Sequence, residues 1–146
     1  MNLNKLNDEE VKILINELKY FLGHVQLQIP TIGQYKKITD VKGEEHGIAY
    51  KFHVYRGIEE NKYSMHLRFA ENNIHLIRLC ISGSKHHNSD GSVADFDHVH
   101  IYQTADNGKV EGYAYSLDNF PFDKDNSLAE SVEKFLDYIK LRERSA

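Results

Sequence analysis

The residues best suited to chemistry in this chain are four histidines within fifteen positions. His86 and His87 lie in a polar loop, and His98 and His100 lie in the apolar segment that follows it. Histidine is the side chain most suited to proton transfer near neutral pH, and it is also the commonest metal ligand. Because alternate residues of a strand project alike, His98, His100 and Tyr102 are predicted to share one face, with the two imidazoles about 6–8 Å apart.

Metal-free cleavage of a phosphodiester needs a base for the attacking 2′-hydroxyl, an acid for the leaving oxygen and cations for the phosphate. His66, His98 and His100 are the candidates for the catalytic acid and base. The tyrosines could stack on bases, as aromatic side chains do in proteins that bind single-stranded RNA. The predicted substrate-binding residues are Arg68, Arg78, Lys85, His86, Tyr55 and Tyr102.

The same histidines also allow a metal site. His98 and His100 could be joined by a third ligand to form an open three-ligand site, the candidates being His86, His66 and Asp90. The chain has neither a cysteine cluster nor a His-Glu-x-x-His sequence. The sequence therefore predicts no metal ion and no other cofactor.

Two neighbouring features are interpreted as structural. Cys80 is the single cysteine and lies in an apolar run, so we interpret it as a packing residue. Asn88-Ser89-Asp90-Gly91 has the composition of a turn, and its spacing does not match a calcium-binding loop.

Composition and charge narrow the class of protein. The chain has 146 residues, is 40% hydrophobic and 27% charged, and carries a net charge of −4. Residues 51–87 differ from the rest, with six Lys or Arg against three Glu, so they could attract an anion locally. No apolar run approaches the roughly 18 residues of a membrane span, and the first residues lack an apolar signal core. With one cysteine and therefore no internal disulfide, we expect a cytoplasmic protein without a membrane partner.

Two helices are predicted to flank the chemistry-bearing segment. The first covers residues 8–22, capped by Asn7 and Glu10 and ended by Gly23, on an apolar stripe of Val11, Leu14, Ile15, Leu18 and Phe21. The second covers residues 128–142, with a capping box from Ser127 and Glu130, on a stripe of Leu128, Val132, Phe135, Leu136 and Ile139.

The middle of the chain alternates as strands do. The predicted strands are residues 34–41, 48–56, 62–70, 74–82, 98–104 and 109–117, with Asn107-Gly108 as a hairpin turn. We therefore predict a single α+β domain over residues 1–146: an antiparallel five- or six-stranded meander with an N-terminal and a C-terminal helix covering one face. The predicted polar face opposite the helices holds Lys51, His53, Tyr55, Ser64, His66, Arg68, Arg78, His98, His100 and Tyr102.

The segment from Leu67 to Tyr102 resembles an uncharacterised family of small bacterial and phage proteins. The shared features are an arginine-bearing strand, a His-x-Asn-x-Asp-Gly-like loop and a His-x-His-x-Tyr strand. The resemblance extends to the N-terminal helix and to the Pro-Phe segment before the C-terminal helix. It implies one compact domain, and it brings no established activity or cofactor.

Three hypotheses for function remain open at this point. The first is a small intracellular RNA-directed protein, most concretely a metal-independent endoribonuclease of the toxin–antitoxin type. The second is a non-enzymatic binding or regulatory protein of a phage or mobile element, acting on a protein partner such as an antitoxin or a host protein. The third is a metal-dependent hydrolase.

Overall fold

A computed structural model describes residues 1–144, so the last two residues of the predicted domain lie outside the described part. The helices are α1 (Asp8–Asn16) and α2 (Leu128–Tyr138), and a short 3-10 segment covers Leu117–Asn119. The strands are β1 (Lys19–Phe21), β2 (Tyr35–Gly43), β3 (Ala49–Arg56), β4 (Tyr63–Phe69), β5 (His75–Ile81), β6 (His86–His87), β7 (Val93–Ala94), β8 (His98–Thr104), β9 (Val110–Ser116) and β10 (Leu141–Arg142).

Eight strands form one mixed sheet in the order β10-β1-β2-β3-β4-β5-β8-β9, and β6 with β7 forms a separate two-stranded sheet. The pairing of β1 with β10 is parallel, and the other pairings are antiparallel. The predicted antiparallel meander of five or six strands is therefore wrong. The sheet is larger because a strand follows each helix where the sequence pattern predicted that the helix would continue.

Both helices begin as predicted and end early. Asn7 and Glu10 form the capping box of α1, and Ser127 and Glu130 form that of α2. The first helix stops at Asn16 instead of residue 22, and the second stops at Tyr138 instead of residue 142. Phe21 and Ile139 fit the helical periods beyond these ends, but Phe21 is buried in β1, which pairs with β10, and Ile139 is the buried C-cap of α2.

Lys19 explains where the helices end. Its side chain is fully buried, and its ammonium donates to the carbonyls of Ile15 (3.0 Å), Glu17 (2.8 Å) and Ile139 (2.8 Å). The last carbonyls of a helix lack partners within the helix, and a cation near them is favourable. One ammonium thus joins the ends of both helices to the edge of the sheet.

The helices cover one face of the sheet, as predicted. Leu14 of α1 is buried in the same core as the sheet residues Met65 and Leu79, and Phe135 of α2 stacks on Phe52 with ring centroids 5.9 Å apart. Neither helix of the described residues covers the opposite side of the central strands. Within residues 1–144, no helix has the length and apolar character needed to cross a membrane.

We expect Lys19→Met to lower the free energy of unfolding by about 3 kcal/mol, because three buried carbonyls lose the donor that Lys19 supplies while the volume of the side chain is kept. Urea denaturation followed by circular dichroism measures the change. Lys12→Met is the matched control on the exposed side of α1, and we expect it to stay within about 0.5 kcal/mol of the wild type. Equal stabilities of the two variants would contradict the role of Lys19.

Candidate functional site

The helix-free side of the central strands carries a group of eleven side chains that we call the open face. Cross-strand partners project to the same side of a sheet, so the pairing registers define the group. It consists of Lys51, His53, Tyr55, Ser64, His66, Arg68, His75, Arg78, Cys80, His98 and His100. Three of these side chains are fixed cations, of which Lys51 is paired with the Asp40 carboxylate on β2. Arg68 and Arg78 therefore give the centre of the open face its positive charge.

One row crosses the open face from β3 to β8. His53 pairs with His66, His66 with Arg78, and Arg78 with His100. A parallel row runs through Tyr55, Ser64, Cys80 and His98. Arg78 therefore separates the histidines into a cluster around His66 and a pair formed by His98 and His100.

The His66 cluster is closely packed and uncharged. The His66 ring stacks on His75 with centroids 3.9 Å apart, meets His53 edge-on at 4.8 Å, and accepts a hydrogen bond from Arg68 Nη1 at 2.9 Å. Burial, with His75, His53, Arg68 and Arg78 beside it, lowers the pKa of His66 to about 2. Burial and the same arginines lower the pKa of His75 to about 4.

His66 is therefore poorly placed for its predicted catalytic role. An imidazole with such a low pKa is a weak proton acceptor at neutral pH, and its Nε2 already accepts a hydrogen bond from Arg68. The structure supports a different use, in which the His66 ring positions Arg68. His75 was not among the predicted site residues, because the bulge that brings it beside Arg68 is not visible in the alternation pattern.

His98 and His100 meet on the open face, with ring centroids 4.6 Å apart, closer than predicted. The Nδ1 atom of His98 lies 2.6 Å from the carbonyl oxygen of Asp95, and that of His100 lies 2.8 Å from the carbonyl oxygen of Gly112. A carbonyl only accepts, so each Nδ1 carries a hydrogen. The two Nε2 atoms face each other at 3.0 Å and, in the neutral rings, neither has a hydrogen to donate.

Cys80 lies beside this pair, although the sequence pattern gave it only a packing role. Its thiol and the two imidazoles can each offer one donor atom, and these three atoms lie within 4.8 Å of one another. Burial raises the pKa of the Cys80 thiol, but the neighbouring imidazoles of His100 and His98, together with Arg78, outweigh burial and lower the pKa to about 6. Within the described residues, this is the Cys–His group able to hold a metal ion.

Tyr102 is not on the open face. Its ring packs edge-on against Phe69 with centroids 6.1 Å apart, and its hydroxyl donates to the Leu3 carbonyl and accepts from the Leu6 amide. The ring of Tyr102 therefore cannot reach a ligand on the open face, and its predicted stacking role is wrong.

The remaining predicted binding residues lie around the open face. Tyr55 is 49% exposed at one end of its row, and Lys85 lies in the loop after β5 with its ammonium 5.6 Å from the centre of the Phe96 ring. His86 approaches the histidine pair, with its ring centroid 4.7 Å from that of His100. The predicted binding residues other than Tyr102 are thus near the face.

The polar loop before β8 holds His86 in this position. Buried Asn88 donates to the Ala114 carbonyl and accepts from the Ala114 amide, so it pairs with β9 as a strand residue would. Asp90 accepts hydrogen bonds from Ser92 and Tyr113. These contacts agree with the interpretation of Asn88–Gly91 as a turn.

The low pKa values of His66 and His75 predict how stability changes with pH. Below the ordinary value of 6.5 the unfolded chain binds protons that the folded cluster does not. The free energy of unfolding should fall as the pH drops from about 6.5 towards 4, by up to about 1.4 kcal/mol per pH unit for each histidine. Urea denaturation between pH 7 and pH 5 measures the slope.

Two variants test whether the change of the free energy of unfolding with pH comes from the His66 cluster. His66→Gln should make the slope shallower, whereas His24→Gln, at an exposed position outside the cluster, should leave it unchanged. The same slope in the wild type and in His66→Gln would contradict the assignment.

Comparison with known proteins identifies the family of this chain. No curated protein and no solved structure matches the chain. A family model does match over residues 6–141, which includes the open face, the polar loop and both helices. The expected membership of an uncharacterised family is thus confirmed at that level. The chain belongs to the DUF6978 family, a family of unknown function.

Proposed function

We propose that this protein acts on single-stranded RNA, binding the phosphodiester backbone along the open face and cleaving it at the His98–His100 end. The observation that carries the proposal is the row in which Arg78 lies between two groups of histidines. Phosphate groups are bound by such fixed cations, and the charge also attracts them over a distance.

Arg78 is the residue best placed to hold a phosphate. Its Nε atom is buried and has no hydrogen-bond partner among residues 1–144. A buried polar atom without a hydrogen-bond partner is uncommon in proteins and destabilises the fold. A phosphate oxygen at this point would supply the missing acceptor for Arg78 Nε. Arg68, fixed by His66, adds a second cation one row away.

A base could be accommodated beside that phosphate. A cavity of about 430 Å³ lies next to Arg78, with Tyr55, Tyr63, Ser64 and Cys80 in its walls. Stacking on an exposed aromatic ring stabilises unpaired bases in RNA-binding proteins. Tyr55 would bind a base while Arg78 binds the adjoining phosphate.

Cleavage is assigned to His98 and His100. In their singly protonated state the pair contains one neutral imidazole and one imidazolium. The neutral ring would take the proton of the 2′-hydroxyl as its oxygen attacks phosphorus, and the imidazolium would give a proton to the departing 5′-oxygen, leaving a 2′,3′-cyclic phosphate. The two Nε2 atoms are only 3.0 Å apart. Proton transfer from the 2′-hydroxyl and proton transfer to the 5′-oxygen would therefore have to occur one after the other.

Binding is tested by fluorescence anisotropy with a labelled single-stranded RNA over a range of salt concentrations. We expect the double variant Arg68→Gln/Arg78→Gln to weaken binding at least about tenfold and to reduce the slope of log K against log salt by about 1.4, the value for two lost phosphate contacts on a single strand. The charge-matched control Lys12→Gln/Lys124→Gln changes exposed residues away from the open face. Equal losses in both variants, or no binding by the wild type, would count against RNA and would favour a protein partner.

Cleavage is tested separately, with the same RNA in EDTA and again with added Zn²⁺. We expect His98→Asn/His100→Asn to lower the rate at least about 100-fold while binding stays near that of the wild type, since general acid–base catalysis contributes about 10²–10⁴-fold. Mass spectrometry should identify cyclic phosphate ends. RNA that stays intact under both conditions, or that is cut equally by the double variant, would remove the enzymatic part of the proposal.

A further inference from the structure

The contact between His98 and His100 presents a physical problem. In the neutral rings, both Nε2 atoms present lone pairs to each other at 3.0 Å, because both Nδ1 hydrogens are donated to main-chain carbonyls. Two facing lone pairs repel unless a positive charge lies between them. That charge can be a shared proton or a metal ion, and the surroundings distinguish these two.

The surroundings of the pair match those of a metal centre. Histidines that bind metals almost always donate their other N–H to a carbonyl or a carboxylate, which fixes the ring and the free nitrogen. Both histidines have this arrangement here. A shared proton would not require the thiol of Cys80, whose sulfur converges on the same point.

We infer that Cys80, His98 and His100 form a binding site for a transition-metal ion of the Zn²⁺ type. One thiolate and two imidazoles are donors that Zn²⁺, Co²⁺ and Cu²⁺ prefer over the oxygen-seeking Mg²⁺ and Ca²⁺. The sequence pattern predicted no metal ion, and the third ligands considered for His98 and His100 were His86, His66 and Asp90, not Cys80 on β5.

The distances suit a tetrahedral ion. Metal–nitrogen bonds of about 2.0–2.1 Å and a metal–sulfur bond of about 2.3 Å separate neighbouring donors by roughly 3.3–3.6 Å. The two nitrogens are 3.0 Å apart, and the three donors lie within 4.8 Å of one another. Small side-chain rotations would therefore complete the three bonds.

The site is held by rigid elements. Cys80 on β5 and His98 on β8 are direct partners in the sheet, and their exposed fractions are 9% and 2%. Beyond these three ligands, the ring of His86 lies with its centroid 4.7 Å from that of His100 and leaves a fourth position to water or substrate. Three protein ligands and a fourth open position are the pattern of catalytic rather than structural zinc sites.

Gly112 makes room for one of the ligands. A side chain at this position would begin 3.3 Å from Cβ of His100 and 3.5 Å from its Nδ1. The absence of a side chain lets the ring of His100 lie against the Gly112 carbonyl that orients it.

This inference goes beyond the proposed function and does not need RNA. The two proposals nevertheless interact, because a metal ion would occupy the nitrogens assigned to the acid and base. Bound metal should therefore abolish metal-free cleavage, and any cleavage that requires Zn²⁺ would proceed at the metal instead.

Metal binding is tested with untagged, reduced protein that has been treated with a chelator and then titrated with Co²⁺. We expect one Co²⁺ per chain, a sulfur-to-cobalt charge-transfer band and intense tetrahedral d–d bands, all removed by added Zn²⁺. Cys80→Ser should abolish the charge-transfer band. Cys80→Ser and His98→Asn should each weaken binding by about 100-fold or more, beyond the 10–100-fold that loss of an orienting partner costs.

Two further variants make the result specific. His87→Asn, at an exposed histidine in the adjacent loop, should bind Co²⁺ as the wild type does. Gly112→Ala retains all three ligands and should weaken binding by about tenfold or more, since it displaces a ring held by a second-sphere contact. Binding of Co²⁺ without the charge-transfer band, or equal binding by Cys80→Ser, would overturn the inference.

The two proposals can fail independently. Arg68→Gln/Arg78→Gln should retain the cobalt spectrum while losing RNA affinity, and Gly112→Ala, outside the proposed RNA-binding residues, should retain RNA affinity while binding Co²⁺ more weakly. A protein that binds metal but not RNA would overturn the proposed function alone, and the reverse result would overturn the metal site alone.

Discussion

The cross-strand register of β4, β5 and β8 is the constraint on which the open face depends. It places Cys80 opposite His98 and Arg78 opposite both His66 and His100. A shift of one residue in any of these pairings would move every side chain of that strand to the other face of the sheet. Burial of Met65, Leu79 and Val99 under the helices prevents the shift, because it would expose these residues to water. The apolar core thus determines which polar groups meet on the opposite side.

The same constraint produces an unusual environment for histidine. The central strands are covered by helices on one side, yet His66 is only 6% exposed on the other, because its neighbours shield one another. An imidazole can be buried there only in its neutral form, and neutral rings can stack as His66 and His75 do. Arg68 and Arg78 strengthen this preference by repelling further positive charge. This part of the face therefore concentrates its charge on guanidinium groups, which cannot lose a proton, while the rings of His66 and His75 stay neutral.

Local signals were the dependable part of what the sequence could predict. Both capping boxes lie where the spacing placed them, and β8 covers the predicted residues 98–104. What could not be predicted were the contacts between distant segments. The helical period continues past Asn16, and only the carbonyl of Ile139, far along the chain, explains why Lys19 ends the helix. Likewise, Cys80 looked like a core residue because its apolar neighbours carry no information about the strand that pairs with it.

The link between β1 and β10 has a consequence for how this chain folds. Lys19 and Leu141 are partners in a parallel pairing, and the ammonium of Lys19 is bound to Ile139 across 120 positions of sequence. Closing so long a loop carries a large entropic cost, and such contacts slow folding. This edge of the sheet cannot form on a ribosome before residue 142 has emerged, whereas the hairpins of the open face can pair earlier. We therefore expect the polar face to be assembled while the junction of the two helices is still open.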